Sequence, residues 1–181
     1  MKIEDMKKYV IDYYENTRQY YGKYHDHKEI SAWSGLVAHI LFCTFIVLAN
    51  PTVQTIQSKF LMTIGFTISV IVESKLLLIY IRNQLDLKDM GGSYVAGSLS
   101  ILAELIDKDY NGKELREYLR VKERKEKKYQ STYVLPNELL ERAKKYSSKG
   151  TGAQDLTRKM NTKVLIISAI SVIFYRWIII W

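Results

Sequence analysis

Cysteine and proline are nearly absent from this chain, and each shortage narrows the fold. The single cysteine, Cys43, lies inside an apolar run, so neither a disulfide framework nor a cysteine-based zinc cluster is available. Two prolines in 181 residues argue against a turn-rich β fold, and fourteen tyrosines favour long helices with aromatic seams. A P-loop, a Gly-rich nucleotide motif and a catalytic Ser/Cys/His set are missing, as is the long polar-lined bundle of a transporter. No cofactor or metal is implied. The apolar sequence begins only after about thirty residues rich in charge, far more than the basic region of a signal peptide, so a cleavable leader is not expected.

What the chain does have is three apolar runs of membrane length. Trp33 to Ala49 holds no Lys, Arg, Asp or Glu; Phe60 to Ile81 is interrupted by Glu73 and Lys75; Val164 to Trp181 holds one charge, Arg176. A spanning helix needs roughly 20 mostly apolar residues at about 1.5 Å each. The expected fold is therefore all-α: an integral membrane protein with three transmembrane helices and a helical cytosolic domain. Its parts are an amphipathic arm (1–30), a transmembrane hairpin (31–82), a basic helical domain (83–163) and a last transmembrane helix (164–181).

Charge sets the orientation. The first thirty residues carry six Lys or Arg and the stretch Asn83 to Lys163 carries seventeen, whereas the connector Asn50 to Lys59 has only Lys59. Cations accumulate on the cytosolic side, which puts the N-terminus and residues 83–163 in the cytosol of a bacterial inner membrane. Trp33 then stands at one interface, and Tyr175, Trp177 and Trp181 at the other. The net charge of +8 points to an acidic partner, either anionic lipid or nucleic acid.

In the arm, Ile3, Met6, Val10, Tyr13, Thr17, Tyr20 and Tyr24 recur at spacings of three and four, a heptad-like seam. Another copy of the arm or the protein's own cytosolic helices would cover it, and oligomer packing through Val10, Tyr13, Tyr20 and Tyr24 is the reading preferred. Gly91-Gly92 is expected to break the chain after the second span. Val95, Leu99, Leu102, Leu105 and Ile106 then form a stripe that should bury. Asn111-Gly112 punctuates it, and a helix-compatible run follows from Lys113 to Lys128. Pro136 suits a first helical turn, Glu138 to Tyr146 reads as a short basic helix, and Ser147 to Gly152 reads as flexible.

Glu73, Arg176 and His39 are polar side chains inside the apolar runs. Glu73 is nine residues from Arg82, about 13 Å at helical rise and close to mid-bilayer. An ionisable group at that depth marks a pathway or a partner. Gly65, Ser69 and Glu73 repeat every four residues, a face small enough for close helix contact. Arg176 enters from the other end, and its length allows a Glu73–Arg176 ion pair. A pore lining at Glu73 and an exit of the helix from the membrane near Lys75 are the alternatives. His39 sits one turn before Cys43; with no third ligand in view, a hydrogen bond to a neighbouring helix is expected rather than a metal.

Two further features lie on the cytosolic side. Lys113, Arg116, Arg120, Arg124, Lys127 and Lys128 belong to a run with eight cations against four glutamates. It suits anionic lipid, at about 1 kcal/mol per cation near the surface, and nucleic acid less well because aromatic residues are sparse there. Arg18 and His25, two helical turns apart, match the R-x4–6-H spacing of HEPN ribonucleases, with Gln19 where Asn or Asp usually follows the arginine. In such a site His acts as acid or base and Arg stabilises phosphorane charge.

The plan of few membrane helices, a heptad-like arm and a basic cytosolic domain resembles small membrane effectors of prokaryotic antiphage systems. It is most similar to the HEPN-like membrane accessory proteins of type VI CRISPR loci. The resemblance implies a homo-oligomeric pore that depolarises the membrane when a partner RNA-guided nuclease system is triggered. A membrane-tethered ribonuclease using Arg18 and His25, or a non-enzymatic anchor for a cytosolic partner, are the other readings.

Overall fold

The computed structural model describes residues 2–49, 55–121, 135–147 and 152–180, without the side chains of 152–156 and 180. All secondary structure among them is helical: α1 (Ile3–Leu48), α2 (Ile56–Asp107), α3 (Gly112–Tyr118), α4 (Asn137–Ser147) and α5 (Gly152–Ile180). Three of these helices are long and apolar enough to cross a membrane. At 46 and 52 residues, α1 and α2 have more than twice the roughly 20 that a crossing needs. The chain divides into two compact units, Met1–His27 with Leu87–Gly150, and Lys28–Asp86 with Thr151–Trp181.

The first unit packs the start of α1, the end of α2, α3 and α4 around Met6, Val10, Tyr14, Ile101, Leu105, Leu115 and Leu139. Val10 is wholly buried and Tyr13 is half-buried against this same core. Met6, Val10 and Tyr13 of the seam are thus covered by the protein's own helices, whereas Ile3 is exposed. Tyr20, also assigned to that seam, is exposed. The stripe on α2 is shifted as well: Ile101, Leu102 and Leu105 are buried, while Leu99 and Ile106 face outward. Helical spacing from Leu105 back to Ile101 and Ser98 places those residues inward and turns Leu99 away.

Gly91 and Gly92 do not break α2, and no glycine among the described residues has positive φ. Two glycines within a helix cost about 1 kcal/mol each relative to alanine. Here the missing side chains admit α1: a Cβ on Gly91 would stand 3.2 Å from the Tyr24 ring and 3.4 Å from the Tyr21 carbonyl. Further along α2, a Cβ on Gly97 would lie 3.1 Å from Leu139 and 3.3 Å from the Ala143 backbone nitrogen, so α4 packs closely on this glycine.

Local chemistry fixes the short helices. The Asn111 side chain accepts hydrogen bonds from the Lys113 and Glu114 amides at 3.0 Å each, and Glu114 accepts from the Asn111 amide at 2.9 Å. This reciprocal cap starts α3 at the position the Asn-Gly pair marks. Tyr14 donates to the Tyr118 carbonyl at 2.5 Å, tying α1 to the end of α3. The Asn137 amide donates to the Arg120 carbonyl at 3.0 Å, which joins α4 to the chain leaving α3. Helix α4 realises the basic segment expected at 138–146, and α5 starts at Gly152, earlier than the apolar run alone indicates.

Arg142 closes this unit. It donates from Nε to Glu138 at 2.8 Å, from Nη1 to the Ser100 hydroxyl at 2.9 Å and carbonyl at 3.1 Å, and from Nη2 to Glu104. Burial works against its charge, and the Glu104 and Glu138 hydrogen bonds more than offset it, pushing its pKa upward. Glu104 is held down to about 2 by hydrogen bonds from Arg142 and Lys108.

Candidate functional site

The second unit brings α1, the first part of α2 and α5 together around two apolar clusters. Ala32, Leu36, Ile81, Leu85 and Leu165 form one; Cys43, Ile46, Val70, Ala169 and Val172 form the other. Outside, Leu41, Phe45, Leu48, Ile167, Ile170 and Phe174 are all more than 60% exposed. Large apolar side chains left exposed on the outside of a helical unit suit a lipid surround, where association rests on packing and polar links. Leu77, Leu78 and Ile81 pack within this unit. That counts against the alternative in which α2 leaves the membrane near Glu73 and hands these residues to the cytosolic domain.

His39 is the polar centre of the unit. Its side chain is 0% exposed, Nδ1 lies 2.9 Å from Glu73 Oε2 on α2, and Nε2 lies 2.7 Å from the Ser168 hydroxyl on α5. One imidazole therefore links all three helices. Cys43 Sγ sits 3.5 Å from Nε2, one turn along α1. The hydrogen bond to a neighbouring helix expected of His39 is present twice. No group of three metal-ligating side chains occurs among the described residues.

Glu73 and Arg176 do not pair. Glu73 is taken by His39, and Arg176 donates through Nη2 to the carbonyls of Ile46 and Ala49. Those carbonyls lie at the end of α1, where the last turn has no intrahelical donors and carries negative partial charge. The guanidinium also stacks on Phe66, its Cζ 4.9 Å from the ring centroid. An arginine forced into this region finds its compensation in backbone rather than in a carboxylate. Nearby, Trp177 donates to Thr67 at 3.2 Å and meets Phe60 edge-on.

The small face is open. Gly65 has nothing within 4 Å of the position its Cβ would take, Ser69 is exposed, and the Glu73 side chain is 21% exposed. The close contact that Gly65, Ser69 and Glu73 allow is not used within one chain. Lys75 is exposed two residues on.

The remaining sequence-derived residues lie in the first unit. Arg18 gives Nε and Nη2 to Glu15 at 2.9 and 2.5 Å, and these bonds hold the Glu15 carboxyl at about 2. The bidentate edge of the Arg18 guanidinium is thus occupied by a carboxylate of its own helix. His25 meets Asp26 at 3.3 Å and packs its ring against Gly92. Tyr24 packs against Gly91. Lys113, Arg116 and Arg120 are exposed, while Arg124, Lys127 and Lys128 fall outside the described residues.

No family model, curated protein or solved structure matches this chain. Its candidate site rests on its own geometry.

Proposed function

We propose that the protein is an oligomeric inner-membrane pore whose copies meet across the Gly65–Ser69–Glu73 face of α2. The observation that carries this reading is a carboxylate near the middle of an apolar span, 21% exposed on the outside of its own three-helix unit and continuous with exposed Gly65 and Ser69. Lipid is a poor cover for such a stripe, because an ionisable group against hydrocarbon is costly and such groups face a bundle interior or water. Neighbouring copies around a watered axis would cover it. The N-terminus and the basic segment 83–163 lie in the cytosol on this reading, with the exposed cations of α3 near anionic lipid. Permeabilisation or depolarisation of the membrane in antiphage defence, alongside an RNA-guided nuclease, is the cellular role that the resemblance adds.

A carboxylate ring selects cations. Purified protein in planar bilayers should conduct with a preference for potassium over chloride, and Glu73→Gln should reduce that preference several-fold while leaving the protein helical. Electrically silent membranes, or identical selectivity in the variant, would overturn the reading.

A further inference from the structure

We propose that His39, Glu73 and Ser168 form a proton-binding site within the three-helix unit, and that its occupancy regulates conductance; the second half rests on the pore reading and the first does not. Proton bookkeeping leads there. The Ser168 hydroxyl lies 2.8 Å from the Val164 carbonyl and 3.0 Å from the Leu165 carbonyl of its own helix. A hydroxyl has one proton to give. While that proton goes to its own helix, the Ser168 oxygen accepts from His39 Nε2–H. One proton then remains on the 2.9 Å line between Nδ1 and Glu73 Oε2, carried by either partner. Imidazolium with carboxylate and imidazole with carboxylic acid have the same proton count and the same zero net charge.

Loss of that proton to water changes two things together. The carboxylate stays ionised and must face Nδ1–H, so Nε2 gives up its hydrogen and becomes an acceptor. Ser168 then has to turn its hydroxyl from Val164 toward His39, and the unit gains an uncompensated negative charge. One deprotonation thus alters a hydrogen bond on α5 and the electrostatics of the α2 face that the pore reading places at the axis. The groups contacting the ring are Cys43 from α1, Glu73 from α2 and Ser168 from α5. Lys75 is the nearest cation along α2, and Arg176 is bound to carbonyls at the end of α1. His39 is sealed while Glu73 is partly exposed, so a proton enters and leaves through the carboxylate.

Nitrogen NMR of ring-labelled histidine, with the full chain in lipid vesicles, reads this directly across a pH series. His39 should titrate in step with a carboxyl infrared band that Glu73→Gln removes. In Glu73→Gln the ring should hold one neutral tautomer throughout, and Glu73→Asp should restore titration. A ring that titrates in Glu73→Gln as in the parent, or that does not titrate in the parent, overturns the proton site. Should coupled titration be found in vesicles whose conductance is unmoved by pH, the regulatory half fails and the pore stands; coupled titration with no conductance at any pH fails the pore and leaves the proton site.

Discussion

Replacing His39 with alanine should destabilise the three-helix unit by about 3 kcal/mol, the scale of leaving buried polar partners without their hydrogen bonds. The loss is larger than a lost hydrogen bond because two partners on separate helices are stranded together, Glu73 on α2 and Ser168 on α5. A hydrogen bond between membrane helices averages only about 0.6 kcal/mol, so the stranded carboxylate dominates. Glu73→Gln should therefore cost about 1 kcal/mol, since the amide still meets the ring. The double replacement His39→Leu with Glu73→Leu should recover most of the loss, since a well-packed apolar pair often equals a buried ionic one. Unfolding in mixed micelles of a mild detergent and dodecyl sulfate measures all three. Equal losses for His39→Ala and the double variant would show that the stranded Glu73 carboxylate does not set the cost.

Arg142→Met should unfold the first unit selectively, at a cost of about 1–3 kcal/mol from partly buried partners left without their donor. Arg142 is the side chain through which α4 holds Glu104 and Ser100 of α2, and it braces Glu138 on its own helix. Methionine keeps the apolar stem and removes every donor. The pH dependence has a definite sign. Glu104 has its pKa lowered from 4.5 to about 2, so its contribution is present above 4.5 and is lost as pH falls from there toward 2. Near-ultraviolet dichroism of Tyr14, Tyr110 and Tyr118, which surround this core, should collapse through that window. Glu104→Gln should flatten the dependence; an unchanged acid transition in that variant would assign it to other carboxylates.

Much of the helical plan was legible because apolar length and cap chemistry are local. The three long runs, the start of α3 at Asn111-Gly112 and the basic helix α4 all follow from residues close in sequence. The errors share a cause, which is that partners distant in sequence decide the outcome. Gly91-Gly92 reads as a break, yet with Tyr21, Tyr24 and His25 of α1 seated against it the pair is a point of close helix approach. Depth along two helices permits a Glu73–Arg176 pair, but depth says nothing about rotation. Rotation turns Glu73 toward His39 and Arg176 toward the end of α1. In the arm's seam, Met6, Val10 and Tyr13 find their cover in α2, α3 and α4 of the same chain, while Ile3 and Tyr20 are left exposed. Ile101 was missed because its neighbours Leu99 and Leu102 look equally apolar in a segment where only the helical register separates inside from outside.

Disulfide cross-linking in native membranes tests most directly whether the Gly65–Ser69–Glu73 face meets another copy. With the single native cysteine removed as Cys43→Ala, a Ser69→Cys chain should form covalent dimers rapidly on mild oxidation. Phe174→Cys, on the outward apolar surface of α5, should remain monomeric. Absence of dimers at Ser69, or equal yields at both positions, would contradict a shared α2 face and remove the basis for a pore.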